Sequence, residues 1–240
     1  MKRADGRQLD QLRPIKIHPD YVKRPAGSAL IEMGNTRVVC AASVENGVPR
    51  WMRDQDVSGG WITAEYSMLP YATSPRKPRE LARGRPEGRT QEIQRLIGRA
   101  LRAVTDLEKL GDRTVWIDCD VLQADGGTRT AAITGAYVAV LLAMRKLQTE
   151  GTIREIPVKS CVAAISVGLV DDVPLLDLSY EEDAKAAVDM NVVMTDEGQF
   201  VEVQGTGEDA PFTQRQMSAM LKLAREGIAE LIAIQKKTLR

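Results

Sequence analysis

The chain has one histidine and three cysteines among 240 residues, and both shortages narrow its chemistry. His18 stands alone in a polar N-terminal segment before Pro19 and reads as a surface residue, not a general base. With no second histidine and no Cys-x-x-Cys pair, the sequence argues against a zinc site or a histidine-based triad. Cys40, Cys119 and Cys161 lie far apart inside apolar, strand-like patterns, as reduced core residues of a cytosolic protein would. Long apolar runs are missing too. The longest, Ala131 to Met144, contains Thr134 and Gly135 and is too short to span a bilayer. The start, Met1 to Arg7, has no apolar h-region, so no signal peptide is expected. Neither a Walker-type Gly-Lys-Ser/Thr nor a G-x-G-x-x-G occurs, and we find no internal repeat.

Net charge is zero, yet the charges are segregated. Tyr71 to Arg102 holds nine Arg or Lys against three Glu, and Asp171 to Asp209 holds twelve Asp or Glu against Lys185 alone. A basic stretch suits a polyphosphate backbone, and an acidic one suits hard cations such as Mg²⁺. Each is also what a solvated surface looks like.

Between these runs lies Gln123-Ala124-Asp125-Gly126-Gly127-Thr128-Arg129-Thr130. Arg113 to Leu122 before it alternates as a strand, with Val115, Ile117, Cys119 and Val121 on one face. Ala131 to Leu147 after it is apolar almost throughout and reads as a buried helix. A glycine-rich turn into a helix N-terminus offers unpaired N–H groups and partial positive charge, a seat for an anion such as phosphate. Arg129 is disfavoured at that end unless an anion is present to take its forked hydrogen bonds. The plain alternative is a tight turn capped by Thr128 or Thr130 with Arg129 in water. Spacing leaves both open.

The remaining chain reads as α+β, one domain over 1–240 with helices packed on mixed β-sheets. Ser28–Met33 and Thr36–Val44 form a hairpin through Gly34-Asn35, and Trp61–Ser67 is a further strand. Pro70 to Glu87 is an extended loop rich in proline and arginine. Thr90 is a candidate N-cap for a helix to about Leu110, with Ile93, Leu96, Ile97, Ala100, Leu101, Val104 and Leu107 on one stripe. Arg89 then stands at a helix start, as Arg129 does. Strands are expected at Lys159–Val170, Val173–Leu178, Val188–Thr195 and Phe200–Gln204, the last broken by Gly205-Thr206-Gly207. Thr213 and Gln216 form a capping-box pattern for a terminal helix to about Lys237.

Asp177, Glu181, Glu182, Asp183 and Asp189 are the acid candidates. Asp177 closes an apolar strand, a costly place for an unpaired charge, and Asp177 with Asp183 would suit Mg²⁺. Glu181 to Asp183 also read as an acidic first helical turn, and Asp189 as a turn residue. Chemistry built on Arg, Asp and a metal is the equipment of phosphoryl transfer.

Long strings then carry a resemblance. Arg3-x-Asp5-Gly6-Arg7, GWITAEYSMLP from Gly60, GRTQEIQRLIGRALRAV from Gly88, IDCDVLQADGGTRT from Ile117, LDLSYEED from Leu176, DMNVVMT from Asp189 and VQGTGE from Val203 are similar to the ribonuclease PH family. The resemblance implies a phosphate-dependent 3′→5′ exoribonuclease, a nucleotidyltransferase that trims precursor-tRNA 3′ ends reversibly and releases nucleoside 5′-diphosphates. By position it assigns Arg89, Gly127, Thr128 and Arg129 to inorganic phosphate, the co-substrate. It assigns Asp177 and Asp183 to catalysis and to a Mg²⁺ ion. Arg76, Arg79, Arg83 and Arg85 are expected to meet RNA. A cytoplasmic homohexamer built as a trimer of dimers, with no membrane association, follows from the same likeness. Tyr71, where the family commonly has Arg, and an acidic Arg53–Ser58 segment depart from the pattern. A non-catalytic RNA-binding ring subunit is the alternative, disfavoured because Arg89, Arg129, Asp177 and Asp183 are all present. A small-molecule phosphorylase would leave the loop from Arg76 to Arg85 idle.

Overall fold

The computed structural model describes residues 3–80, 84, 86–208 and 210–240. Its first sheet contains β1 (Ile15–Pro19), β2 (Gly27–Met33), β3 (Thr36–Asn46), β4 (Trp61–Met68) and β5 (Arg113–Gln123), in the order β1-β2-β3-β5-β4. The second contains β6 (Val162–Val170), β7 (Val173–Leu176), β8 (Val188–Thr195) and β9 (Phe200–Gly207), in the order β7-β6-β8-β9. The helices are α1 (Arg50–Asp54), α2 (Gly88–Ala103), α3 (Leu107–Leu110), α4 (Thr128–Thr149), α5 (Tyr180–Asp183) and α6 (Gln214–Thr238). The α+β class expected from sequence is what forms.

Alternation on β5 works as the pattern requires: Val115, Ile117, Cys119 and Val121 are buried, while Trp116 and Asp118 face out. Strand β6 is buried at every position because α4 covers one side and α6 the other. Helix α4 runs between the sheets against β2, β3 and β6, and one hydrophobic cluster spans both layers. By length and composition α4 is apolar enough to cross a membrane, beyond what the Ala131–Met144 run implied, but most of it is buried between the sheets. Gly135 permits the close packing: a Cβ there would lie 2.8 Å from Ile31 Cγ2 and 2.9 Å from Cys40 Sγ.

Several boundaries differ from the sequence reading. The helix expected from Thr90 to Leu110 starts at Gly88 and stops at Ala103, and Asp106 caps a separate α3 by accepting from Lys109 N–H. Val104 and Thr105 leave the helix to pair with the segment at Val158 and Lys159. Thr90 is no cap; its hydroxyl donates to Glu80. Strand β9 continues through Gly205-Thr206-Gly207, paired with Met190, Asp189 and Val188. Asp189 lies in strand β8, within the expected Val188–Thr195 strand, and not in the turn that was its plain alternative. Strand β1 and helix α1 carry too short a pattern to be read beforehand. The β2–β3 hairpin and the Thr213–Gln216 capping box form as expected.

One topological feature positions the site. Strands β4 and β5 pair in parallel, joined by a crossover through α2 and α3. Parallel strands end at the same edge, so α2, entered from the loop after β4, and α4, entered straight from β5, both begin there. Arg89 and Arg129 are thereby brought to one side of the sheet.

Candidate active site

A cleft of about 1150 Å³ opens at that edge. Its walls are the loop before α2, the turn after β5, and the α5–β8 segment of the second sheet. Arg89, Gly127, Thr128, Arg129 and Asp183 all line it, while Asp177 does not.

The turn is built by two glycines in left-handed backbone, Gly126 at φ 76° and Gly127 at φ 63°. A Cβ on Gly126 would sit 2.5 Å from the Leu178 carbonyl oxygen, so only glycine lets the turn press against the second sheet's loop. Gly127 is the N-cap of α4 and brings no side-chain cap, and α2 likewise starts from Glu87 without one. Neither Thr128 nor Thr130 caps α4: Thr130 donates to the Gly127 carbonyl and Thr128 accepts from Tyr66. Among the described residues no side chain caps either N-terminus, and each helix carries an arginine at its second residue.

Arg129 is held from one side: Nη1 donates to Gln204 Oε1 at 2.7 Å and lies 3.6 Å from Glu92 Oε1. Gln204 Nε2 in turn donates to Glu92. Gln204 reaches Arg129 because β9 pairs it with Asn191 on β8. Among the described residues no ion pair ties down Arg89, which is exposed. Its charge acts on both Asp183 and Asp189.

The acids divide into two kinds. Asp177 is fully buried: Oδ2 accepts Arg13 N–H at 2.8 Å and Nε–H at 3.0 Å, and Oδ1 accepts Nη2–H at 2.7 Å. Arg13 spends its other donors on the carbonyls of Asp125 and Gly126. Asp177 thus braces the glycine turn through Arg13. Expected beside Asp183, it lies outside the residues lining the cleft, and both of its oxygens accept from Arg13. Glu182 is consumed in the same way, taking a forked pair from Arg3 at 2.8 and 2.7 Å.

Asp183 and Asp189 face the cleft without an ion-pair partner among the described residues. Burial pushes the Asp183 carboxyl up, partly countered by Arg89. Burial, then the charge of Asp183, raises Asp189 to about 6. Asp189 Oδ1 is buried with no hydrogen-bond partner among the described residues, while Oδ2 takes a 3.3 Å bond from Asn191 Nδ2–H. Period-2 alternation carries the signal that finds this residue: Val188 and Met190 turn inward, sending Asp189 and Asn191 to the other face. Among the described residues no group of three or more His, Cys, Asp or Glu side chains could hold a metal. Arg76 and Arg79 are exposed on the loop before α2; Arg83 and Arg85 lie outside the described residues.

Cationic helix starts facing half-buried carboxylates that have no ion pair among the described residues define a class: proteins that hold phosphoryl groups. The chain belongs to the 3′ exoribonuclease family, whose domain 1 matches residues 11–146 and domain 2 residues 160–227. It is 59% identical over 238 residues to proteins named ribonuclease PH from Bacillus cereus strain AH820 and Bacillus anthracis strain A0248. Each alignment covers 99% of this chain and 96% of the relative. The fold is shared with rice (Oryza sativa) Rrp46, at TM-score 0.80 and 20% identity, covering 99% of this chain and all of that one. It is shared also with the Archaeoglobus fulgidus exosome with RNA bound to the active site, at TM-score 0.81 and 23% identity, over 97% and 92%.

Proposed function

We propose that the chain is a phosphorolytic 3′→5′ exoribonuclease that trims RNA 3′ ends, precursor tRNA among them, with inorganic phosphate as nucleophile. The observation that carries the reading is the meeting of two uncapped, arginine-bearing helix starts opposite Asp183 and Asp189. Phosphate rests on the N–H groups and hydroxyl of the Gly127-Thr128-Arg129 turn, between Arg89 and Arg129. An oxygen of that phosphate forms a bond to the phosphorus of the terminal 3′-phosphodiester. The bond from phosphorus to the preceding nucleotide's 3′-oxygen breaks, and a nucleoside 5′-diphosphate leaves. The 3′-oxygen takes up a proton held at one carboxyl of the Asp183–Asp189 pair, the other staying ionised to face the cation. The arginines offset charge between two negative reactants, and Arg76 and Arg79 meet the RNA backbone.

Asp183 and Asp189 are the residues that would hold Mg²⁺. The fit rests on the orphaned Asp189 Oδ1 and on two mutually repelling carboxylates that have no ion pair among the described residues and are only partly offset by Arg89 and Arg129. A pair, not a cage, is what Mg²⁺ takes when waters and substrate phosphates complete its shell. Bound there, the ion supplies charge stabilisation to the phosphoryl oxygens and the departing oxygen. We place the protein in the cytoplasm, as a homohexameric ring.

The experiment is incubation with RNA bearing single-stranded 3′ nucleotides and Mg²⁺, with and without phosphate. Nucleoside diphosphates formed only with phosphate are expected. Monophosphates released without it would sink phosphorolysis, and no degradation at all would point to a binding subunit.

A further inference from the structure

Tyr66 is a buried polar group at the cleft that the reaction above leaves unused. It projects from β4 with 4% of its surface exposed, and its one hydrogen-bond partner among the described residues is Thr128 Oγ1, 2.8 Å away. Thr128 is the first residue of α4, inside the stretch of uncapped N–H groups. Of two hydroxyls in contact, the phenol is the stronger acid, so it donates and the threonine oxygen accepts. Burial pushes the Tyr66 phenol up to about 12, so it stays a donor at working pH. Having accepted, Thr128 still carries its own hydrogen. No protein acceptor among the described residues takes it, although the residue is 6% exposed and lines the cleft. A buried donor without an acceptor is costly, and an anion seated on α4 supplies the acceptor.

We propose that Tyr66 is a positioning residue for phosphate, turning the Thr128 hydroxyl hydrogen toward the anion seat by donating to its oxygen. The proposal rests on the phosphorolysis reading. It adds a fixed neutral donor beside Arg129 and acts on phosphate without touching the RNA chain. Parallel pairing supports the geometry, because β4 sets Tyr66 level with Cys119, four residues before the end of β5.

The test is phosphate titration at saturating RNA for Tyr66→Phe, which keeps the ring in the core. The phosphate KM should rise roughly three- to tenfold, the worth of one hydrogen bond, with kcat falling far less than kcat/KM. Thr128→Val should show the same rise, Thr128→Ser should regain affinity, and the double Tyr66→Phe/Thr128→Val should be no worse than Thr128→Val alone. RNA affinity by gel shift should not follow. An unchanged phosphate KM in Tyr66→Phe, or multiplying losses in the double variant, would overturn the proposal. If Tyr66→Phe does not fold, an unchanged KM in Thr128→Val overturns it instead. Calorimetric titration with inorganic phosphate reads the same affinities without turnover. A parent that binds phosphate yet releases no diphosphate therefore marks failure of the reaction, not of the relay.

Discussion

Replacing Asp189 by Asn removes a charge that the fold carries at a cost. Its folded-state pKa is raised from the ordinary 3.8 to about 6 by burial and by Asp183. A carboxyl raised on folding favours the folded state below its unfolded pKa, and that advantage is lost as pH rises through the folded value. At about 1.4 kcal/mol per pH unit the full penalty above pH 6 is roughly 3 kcal/mol. Asp189 is only partly buried, so about 1–2 kcal/mol is the realistic share. Asp189→Asn should therefore raise stability at pH 7.5 in EDTA by about that amount, or about 2–6 °C in Tm. At pH 4 parent and variant should melt nearly together. Phosphorolysis should fall about a hundredfold or more. Mg²⁺ should raise the parent's Tm but not the variant's. Calorimetry across pH with a diphosphate-release assay reads all of this. A variant less stable than the parent at pH 7.5, or a gain that persists at pH 4, refutes the assignment of Asp189 as an uncompensated acid.

Three further outcomes follow from the same contacts. Asp177→Asn breaks the buried pair with Arg13 and should cost about 3–5 kcal/mol by denaturant unfolding. The folded fraction should still bind Mg²⁺, whereas Asp183→Asn should not; equal loss of Mg²⁺ in both would restore Asp177 as a ligand. Glu182→Gln should be destabilising at neutral pH and converge on the parent in acid. Burial raises the Glu182 carboxyl, but Arg3, Ser179 N–H and Arg7 bring it below the ordinary 4.5, so its contribution is lost as pH falls through that lowered value. A constant gap between the two melting curves down to pH 3 would contradict this. Arg129→Ala should raise the phosphate requirement far more than it weakens RNA binding, by phosphate titration against gel shift.

Local signals reached the elements well and the site in part. Alternation on β5 and the apolar length of α4 are one-dimensional patterns, and both gave the right element within a few residues. That two arginines at helix starts share a cleft is not such a pattern. It depends on β4 and β5 running parallel, and a pairing direction leaves no mark in either strand's composition. The role of Arg13 was illegible for a related reason: its partners Asp177 and Asp125 lie more than a hundred residues away, in the bend after β7 and in the turn after β5.

The position of Asp177 has a physical reason. By composition the acids of the Asp171–Asp209 run look alike, and an apolar strand end made Asp177 the most conspicuous. Its conspicuousness is what burial of a paired charge looks like: an acid set among Leu175, Leu176 and Leu178 persists because Arg13 takes both of its oxygens. Glu182 answers to Arg3 in the same manner. Such acids hold the glycine turn and α5 in place through their arginines. Asp183 and Asp189 are also partly desolvated, but Arg89 and Arg129 offset this only in part, and among the described residues neither acid has an ion pair, as the upward shifts reflect. On the proposed reading, such incompletely offset acids are the ones left to meet a cation. The useful distinction between carboxylates here is therefore who supplies the counter-charge, the chain or its ligand.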